Sequence, residues 1–131
     1  MSAKKTTSPL RPTDAELTIL RVLWDKGQAT VREVHEDLSR RKPQVYTTVL
    51  KFLQIMTEKG LVRRDESART HIYRAAAPPE KMQRSMVKDL VQRLFAGSTQ
   101  ALVQQALGSG KVTPEEISEI RRTLDALERG D

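Results

Sequence analysis

The chain contains no cysteine. That excludes disulfides, thiolate metal sites and cysteine nucleophiles, and it fits a reducing cytosol, so a cytoplasmic location is expected. No apolar run approaches the roughly 20 residues that a membrane-spanning helix needs. A secretory signal is not expected either, because Met1-Ser2-Ala3-Lys4-Lys5-Thr6-Thr7-Ser8 has no apolar segment behind its lysines. There is no Gly-rich phosphate loop. The two histidines, His35 and His71, stand in no nucleophile or metal-ligand pattern. The expectation is a protein with no catalytic residue, no metal and no cofactor, and not an enzyme.

Hydrophobic residues make up 37% and charged residues 31% of the chain, which suits a helical protein with a modest core rather than a disordered one. The net charge is +6, and its placement says more than its size. Residues 1–77 carry 15 Lys and Arg against 9 Asp and Glu, whereas residues 78–131 carry 8 against 8. A basic half joined to a neutral half suggests one part that meets a polyanion and one that meets protein. By itself, the same excess is equally ordinary solubilising charge.

Residues 1–12 are rich in Ser, Thr, Pro and Lys and read as a flexible tail. Thr13 with Glu16 has capping-box spacing, and Leu17, Leu20, Leu23 and Trp24 share one helical face. Gly27 is placed to end this helix in a left-handed cap. Thr30 and Glu33 repeat the box for a second helix, with Val31, Val34 and Leu38 inward and His35 at the surface. After the basic turn Ser39-Arg40-Arg41-Lys42, Pro43 suits the start of a third helix, since its missing N–H would be an orphan there. At 100° per residue, Val45, Val49, Phe52, Leu53 and Met56 fall on a core side. Thr47, Lys51 and Gln54 fall opposite, flanked by Thr48 and Leu50.

That helix stops at Gly60 and runs directly into Leu61-Val62-Arg63-Arg64, a polar tip Asp65-Glu66-Ser67-Ala68, and a return Arg69-Thr70-His71-Ile72-Tyr73. A helix leading into a short basic hairpin is the plan of a winged helix-turn-helix. The helix can lie in the DNA major groove with the hairpin on the neighbouring backbone. Threonine suits the outer face: its hydroxyl bonds a base edge or phosphate and its methyl touches the thymine methyl. Lys51 reaches a guanine edge or a phosphate. Tyr46 is either a phosphate donor or a packing residue, and Leu50 meets a thymine methyl or is partly buried. Arg63, Arg64 and Arg69 are candidate backbone contacts, with His71 near the DNA. Asp65 and Glu66 at the tip would repel phosphate. The wing is therefore expected to add affinity rather than sequence reading.

Pro78-Pro79 marks a boundary between a winged-helix domain, 13–77, and a helical region, 78–131. Three helices are expected beyond it. The first, 80–96, presents Met82, Met86, Val87, Leu90 and Leu94 and is ended by Gly97. The second spans 99–107, and the third opens on Thr113-Pro114-Glu115-Glu116. Ile117, Ile120, Leu124 and Leu127 form an apolar seam of coiled-coil type. Three helices of this size make little core alone. A second copy of the chain, packed through Met86, Leu90, Leu94 and the Ile117–Leu127 seam, is the economical partner. The alternative is that they fold back on the first domain. Phe95, Ala96, Gly97 and Ser98, between two helices, form a candidate site for regulatory proteolysis; they could equally be a tight, well-packed connection.

The chain resembles the BlaI/MecI/CopY penicillinase-repressor family of bacterial transcription regulators, from Pro12 to about Leu127. The resemblance rests on Pro12-Thr13-Asp14-Ala15-Glu16-Leu17 with Leu23-Trp24, on Tyr46-Thr47-Thr48-Val49, on Glu58-Lys59-Gly60-Leu61-Val62 and on Thr113-Pro114-Glu115-Glu116-Ile117. It implies a homodimer with interlocking C-terminal helices that binds a palindromic operator with TACA/TGTA-type half-sites and blocks transcription. It places Thr47, Thr48 and Lys51 at the base-contact positions, with Lys51 longer than the usual family residue. One branch of the family is released by copper through a C-terminal cysteine hook, which this chain lacks. The other is cleaved after a membrane-bound zinc metallopeptidase senses a signal. Its best-known members are cut at an Asn-Phe bond, and this chain has no asparagine. A non-specific architectural DNA-binding protein is the competing reading, and a winged helix used only for protein docking is a third.

Overall fold

The computed structural model describes residues 11–130; the tail expected at residues 1–12 lies almost wholly outside them. The elements run α1 (Asp14–Lys26), β1 (Ala29–Thr30), α2 (Val31–Ser39), α3 (Tyr46–Lys59), β2 (Val62–Asp65), β3 (Ile72–Ala75), α4 (Pro79–Leu94), α5 (Thr99–Ser109) and α6 (Pro114–Arg129). The chain divides into two compact units, and the division falls within α4, after Met86.

In the first unit, α1 and α2 begin as their sequences require. Thr13 and Thr30 each accept from the backbone three residues on, and Glu16 and Glu33 reach back to the cap N–H at 2.9 and 2.8 Å. These reciprocal bonds satisfy donors that a helix start otherwise leaves orphaned. Gly27 ends α1 at φ 86°, although its ψ of −46° is not that of a left-handed cap.

The third helix departs from the sequence expectation. It starts at Tyr46 rather than Pro43, with extended Val45 as an N-cap that makes no side-chain capping bond. Val45 therefore lies outside the helical periodicity and is 64% exposed instead of joining the core. The segment before the helix is held from α2 instead. His35 Nε2 lies 2.8 Å from the Gln44 carbonyl, and its ring meets Tyr46 edge-on at 5.6 Å. His35 is half-buried and holds the segment before α3, a role that its place on α2 did not reveal.

The sheet has three antiparallel strands in the order β1-β3-β2, one more than expected. β1 pairs Ala29 with Tyr73 and Thr30 with Ile72. Two residues give no alternation to read, so only the pairing reveals this strand. In the hairpin, Asp65 belongs to β2 and the return strand starts at Ile72, which leaves Arg69 in the connecting loop.

The core gathers Ile19, Leu20 and Leu23 of α1, Val34 of α2, Val49, Leu53 and Met56 of α3, and Val62 and Tyr73 of the wing. Leu17, Trp24, Leu38, Leu50 and Phe52 pack at its edge. Trp24 Nε1 donates to the Ala77 carbonyl at 2.9 Å, tying α1 to the chain leaving β3. Glu16, only 2% exposed, accepts from Lys59 Nζ at 2.7 and 3.0 Å. The start of α1 is thereby fastened to the end of α3. Burial alone would raise the Glu16 carboxyl, but hydrogen bonds from Lys59 and from the Thr13 N–H, with the Lys59 charge, outweigh it and hold the carboxyl below its usual value.

In the second unit Val91 is the one buried hydrophobic among the described residues. α6 opens with the expected Thr113–Glu116 capping box, with Pro114 in its first turn. The order α1-β1-α2-α3-β2-β3 is that of a winged helix, followed here by three further helices. The fold is mainly helical with a small β-wing.

Candidate nucleic-acid interface

α3 is amphipathic because its apolar residues recur at helical spacing. Val49, Leu53 and Met56 are buried, and this turns Thr47, Thr48, Lys51 and Gln54 to solvent. Thr47, Thr48 and Lys51 line one shallow groove together with Phe52 and Ile55. Leu50 is half-buried against the core, and Tyr46 is 44% exposed at the helix start. Among the described residues no carboxylate lines this groove. Ile55 is an exposed apolar residue on the same helix, and nothing in its spacing along the chain sets it apart.

The wing arginines are not all brought together: Arg63 and Arg64 border one cleft and Arg69 another. Arg64 stands opposite Tyr73 and Arg63 opposite Arg74, so the two consecutive residues point to opposite faces of the hairpin. Arg64 Nε and an NH2 nitrogen each lie 2.6 Å from the Glu66 carboxylate. Hydrogen bonding to Tyr73 and then to Glu66 raises the Arg64 guanidinium above its ordinary range. Its charge is thus already engaged by the wing tip. Asp65 is held below the usual carboxylate range, chiefly by the Ser67 N–H, which donates to it at 2.9 Å and shapes the turn. Arg63, Arg64, Asp65 and Arg74 line a cleft with Thr57 and Gly60, at the C-terminal end of α3. Arg69 lines a different cleft, with Tyr46 and Leu50 of the N-terminal half of α3 and with Arg32 of α2.

Arg32 was not singled out by the sequence. It is one exposed arginine on a short helix, and only the pairing of β1 with β3 brings the start of α2 beside the wing. His71 is exposed and lines the same cleft as Arg69.

Of the candidate dimer residues, Leu90, Leu94, Ile117, Leu124 and Leu127 are exposed, while Met86 and Ile120 are half-buried. Val87, Val103 and Leu107 are exposed as well. In the candidate cleavage segment Phe95 is half-buried, and Ala96, Gly97 and Ser98 are exposed. Ala96 has φ 50° and Gly97 φ 88°. The N–H groups of Phe95 and Gly97 both donate to the Val91 carbonyl, at 3.2 and 2.9 Å, and the Ser98 side chain caps α5 by accepting from Ala101 at 3.0 Å. Among the described residues no group of His, Asp and Glu is placed to hold a metal ion, and no helix is long and apolar enough to cross a membrane.

The chain is 34% identical over 119 residues to the transcriptional regulator BlaI of Mycobacterium tuberculosis, an alignment covering 89% of this chain and 85% of that protein. It is 22% identical over 112 residues to the penicillinase repressor of Bacillus licheniformis, covering 86% and 88% of the two chains. A solved structure of a Lactococcus lactis ZitR mutant matches with a TM-score of 0.46 at 20% identity, covering 98% of this chain and 81% of that one. The family model described as penicillinase repressor matches residues 12–126, from before α1 to within α6. A match over that span, on a winged helix with an open polar face on α3, means that the chain belongs to the penicillinase repressor family of transcriptional regulators.

Proposed function

We propose that the protein is a dimeric, sequence-specific transcriptional repressor that acts in the cytoplasm on a palindromic double-stranded operator. The observation that carries this reading is the outward face of α3. Thr47, Thr48 and Lys51 share a carboxylate-free groove on a helix whose opposite side is anchored in the core. Such a helix enters the major groove without disturbing the fold. The two threonines and the lysine meet base edges, and Tyr46 and the wing arginines Arg63, Arg64 and Arg69 supply backbone contacts or favourable field.

A dimer follows from the second unit. Leu90, Leu94, Ile117, Leu124 and Leu127 lie open on helices that bury almost nothing within one chain. Packing them against a second copy gives two recognition helices related by a two-fold axis, and a two-fold protein reads a palindrome. Release is by proteolysis, through a membrane-bound metallopeptidase sensor acting at Phe95–Ser98. Ala96 carries a side chain at positive φ on an exposed connection, a conformation that local opening relieves. A cut there separates α5 and α6 from the winged helix and removes much of the apolar seam.

The test is selection of a duplex from a randomised pool, followed by competition. A repressor holds its selected duplex against a large excess of random DNA. Equal loss to any competitor would mean a non-specific architectural protein, and no binding at all a protein-docking module.

A further inference from the structure

We propose that the cleft between α2, α3 and the wing loop is a clamp for one backbone phosphate of duplex DNA, closed by Arg32 on one side and Arg69 on the other. The inference rests on the DNA-binding reading and deepens it. Arg32 and Arg69 come from different elements and line the same cleft with the hydroxyl-bearing residues Thr30, Tyr46 and Thr70 and with His71. No carboxylate lines it, and neither arginine has an ion-pair partner among the described residues. Glu33, next to Arg32 in sequence, is absent from the lining, and its carboxylate is engaged in the capping box, where it accepts from the Thr30 N–H at 2.8 Å. The first turn of α2 adds the positive end of a helix dipole.

Two guanidiniums without ion-pair partners line one cleft, and an anion bound there gains from both charges. The planar fork of arginine matches the paired oxygens of a phosphate. The other basic cleft of the wing differs in kind. It contains Asp65, and its Arg64 is already bound to Glu66. Tyr46 opens α3 directly before Thr47 and Thr48, so a phosphate held here borders the bases that those residues face. Such a clamp fixes the register and tilt of α3 without reading sequence itself.

The probes are the duplex that the wild-type chain selects from a randomised pool and a scrambled duplex of equal length, each titrated across a potassium chloride series. Arg32→Ala and Arg69→Ala should each lower the slope of log K against log salt by about one. The loss of affinity should be the same on both duplexes. Arg32→Lys should keep the slope, because a phosphate contact needs the charge, whereas a packing role would not be rescued. With the wild-type chain, replacing backbone phosphates one at a time by neutral methylphosphonates should reveal a position that weakens binding. Arg32→Ala should be indifferent to that position, and thermal melts should show the variants folded. Normal binding with an unchanged slope in Arg32→Ala, or a loss confined to the selected sequence, would overturn the clamp alone. A wild-type chain that binds neither duplex would overturn the DNA-binding reading and the clamp with it.

Discussion

The two units use their apolar residues in opposite ways. In the first, side chains from three helices and a small sheet close on one another, and Leu20, Val34, Leu53 and Met56 are fully buried. In the second, Val91 alone is buried among the described residues, while Leu94, Leu124 and Leu127 are 68%, 55% and 69% exposed. The difference lies in arrangement more than in hydrophobicity. A sheet and crossed helices enclose a volume, whereas a few consecutive helices present a stripe. An open stripe of this kind is a surface to be covered, and the proposed dimer would cover it with a second copy of the chain.

The sharpest way to break this contrast is Leu124→Glu. If the α6 seam is a two-fold interface, each protomer brings one unpaired carboxylate into it, at about 3–5 kcal/mol apiece. Sedimentation should then find monomers where the native chain is dimeric, and affinity for a full palindrome should fall steeply. A native chain that stays monomeric at micromolar concentration removes the interface from the account.

Leu53→Ala probes the other side of the comparison. Truncating a fully buried leucine should cost about 2–5 kcal/mol by urea denaturation. A similar cost for Leu124→Ala under monomeric conditions would mean that the two units are built alike.

Glu16→Gln tests the link between α1 and α3. Losing a charge-assisted bond at a buried site should cost about 1.5–3 kcal/mol at neutral pH. The Glu16 carboxyl sits below its ordinary value of 4.5 in the folded chain. Its contribution is therefore complete above that value and is lost as pH falls through the depressed one. The stability curves of native and variant chains should converge in acid. Parallel curves would mean that the charge on Glu16 contributes nothing.

Lys51→Ala should weaken binding to the selected duplex by about 1–3 kcal/mol while stability stays within about 0.5 kcal/mol. A melt that falls without a change in DNA affinity would place Lys51 in the scaffold rather than the interface. The smallest effect is expected at Gly60, which ends α3 at φ 84° and ψ 13° with open space where a Cβ would stand. Gly60→Ala should cost about 1 kcal/mol from backbone strain alone, read as a small drop in melting temperature.

Much of this fold was legible because its signals are local. Capping boxes at Thr13, Thr30 and Thr113 and the glycine after Lys59 need only neighbours along the chain. The outward placement of Thr47, Thr48 and Lys51 follows from helical periodicity once Val49, Leu53 and Met56 are taken as core. Where the reading failed, the cause was not local. Val45 fits a core position only for a helix that starts at Pro43, yet the segment before Tyr46 is extended and held by His35 across a turn. β1 escaped notice because two residues carry no pattern until a partner strand defines them.

The sequence by itself determined that the chain is helical with a small wing, that its net positive charge lies in the first half, and that an amphipathic helix leads into a hairpin. Spacing along one chain encodes all of these. Only the tertiary structure decided that Arg69 shares its cleft with Arg32 of α2. The physical reason is that charge partnership depends on distance through space, and the three-stranded pairing, which no local pattern specifies, sets those distances.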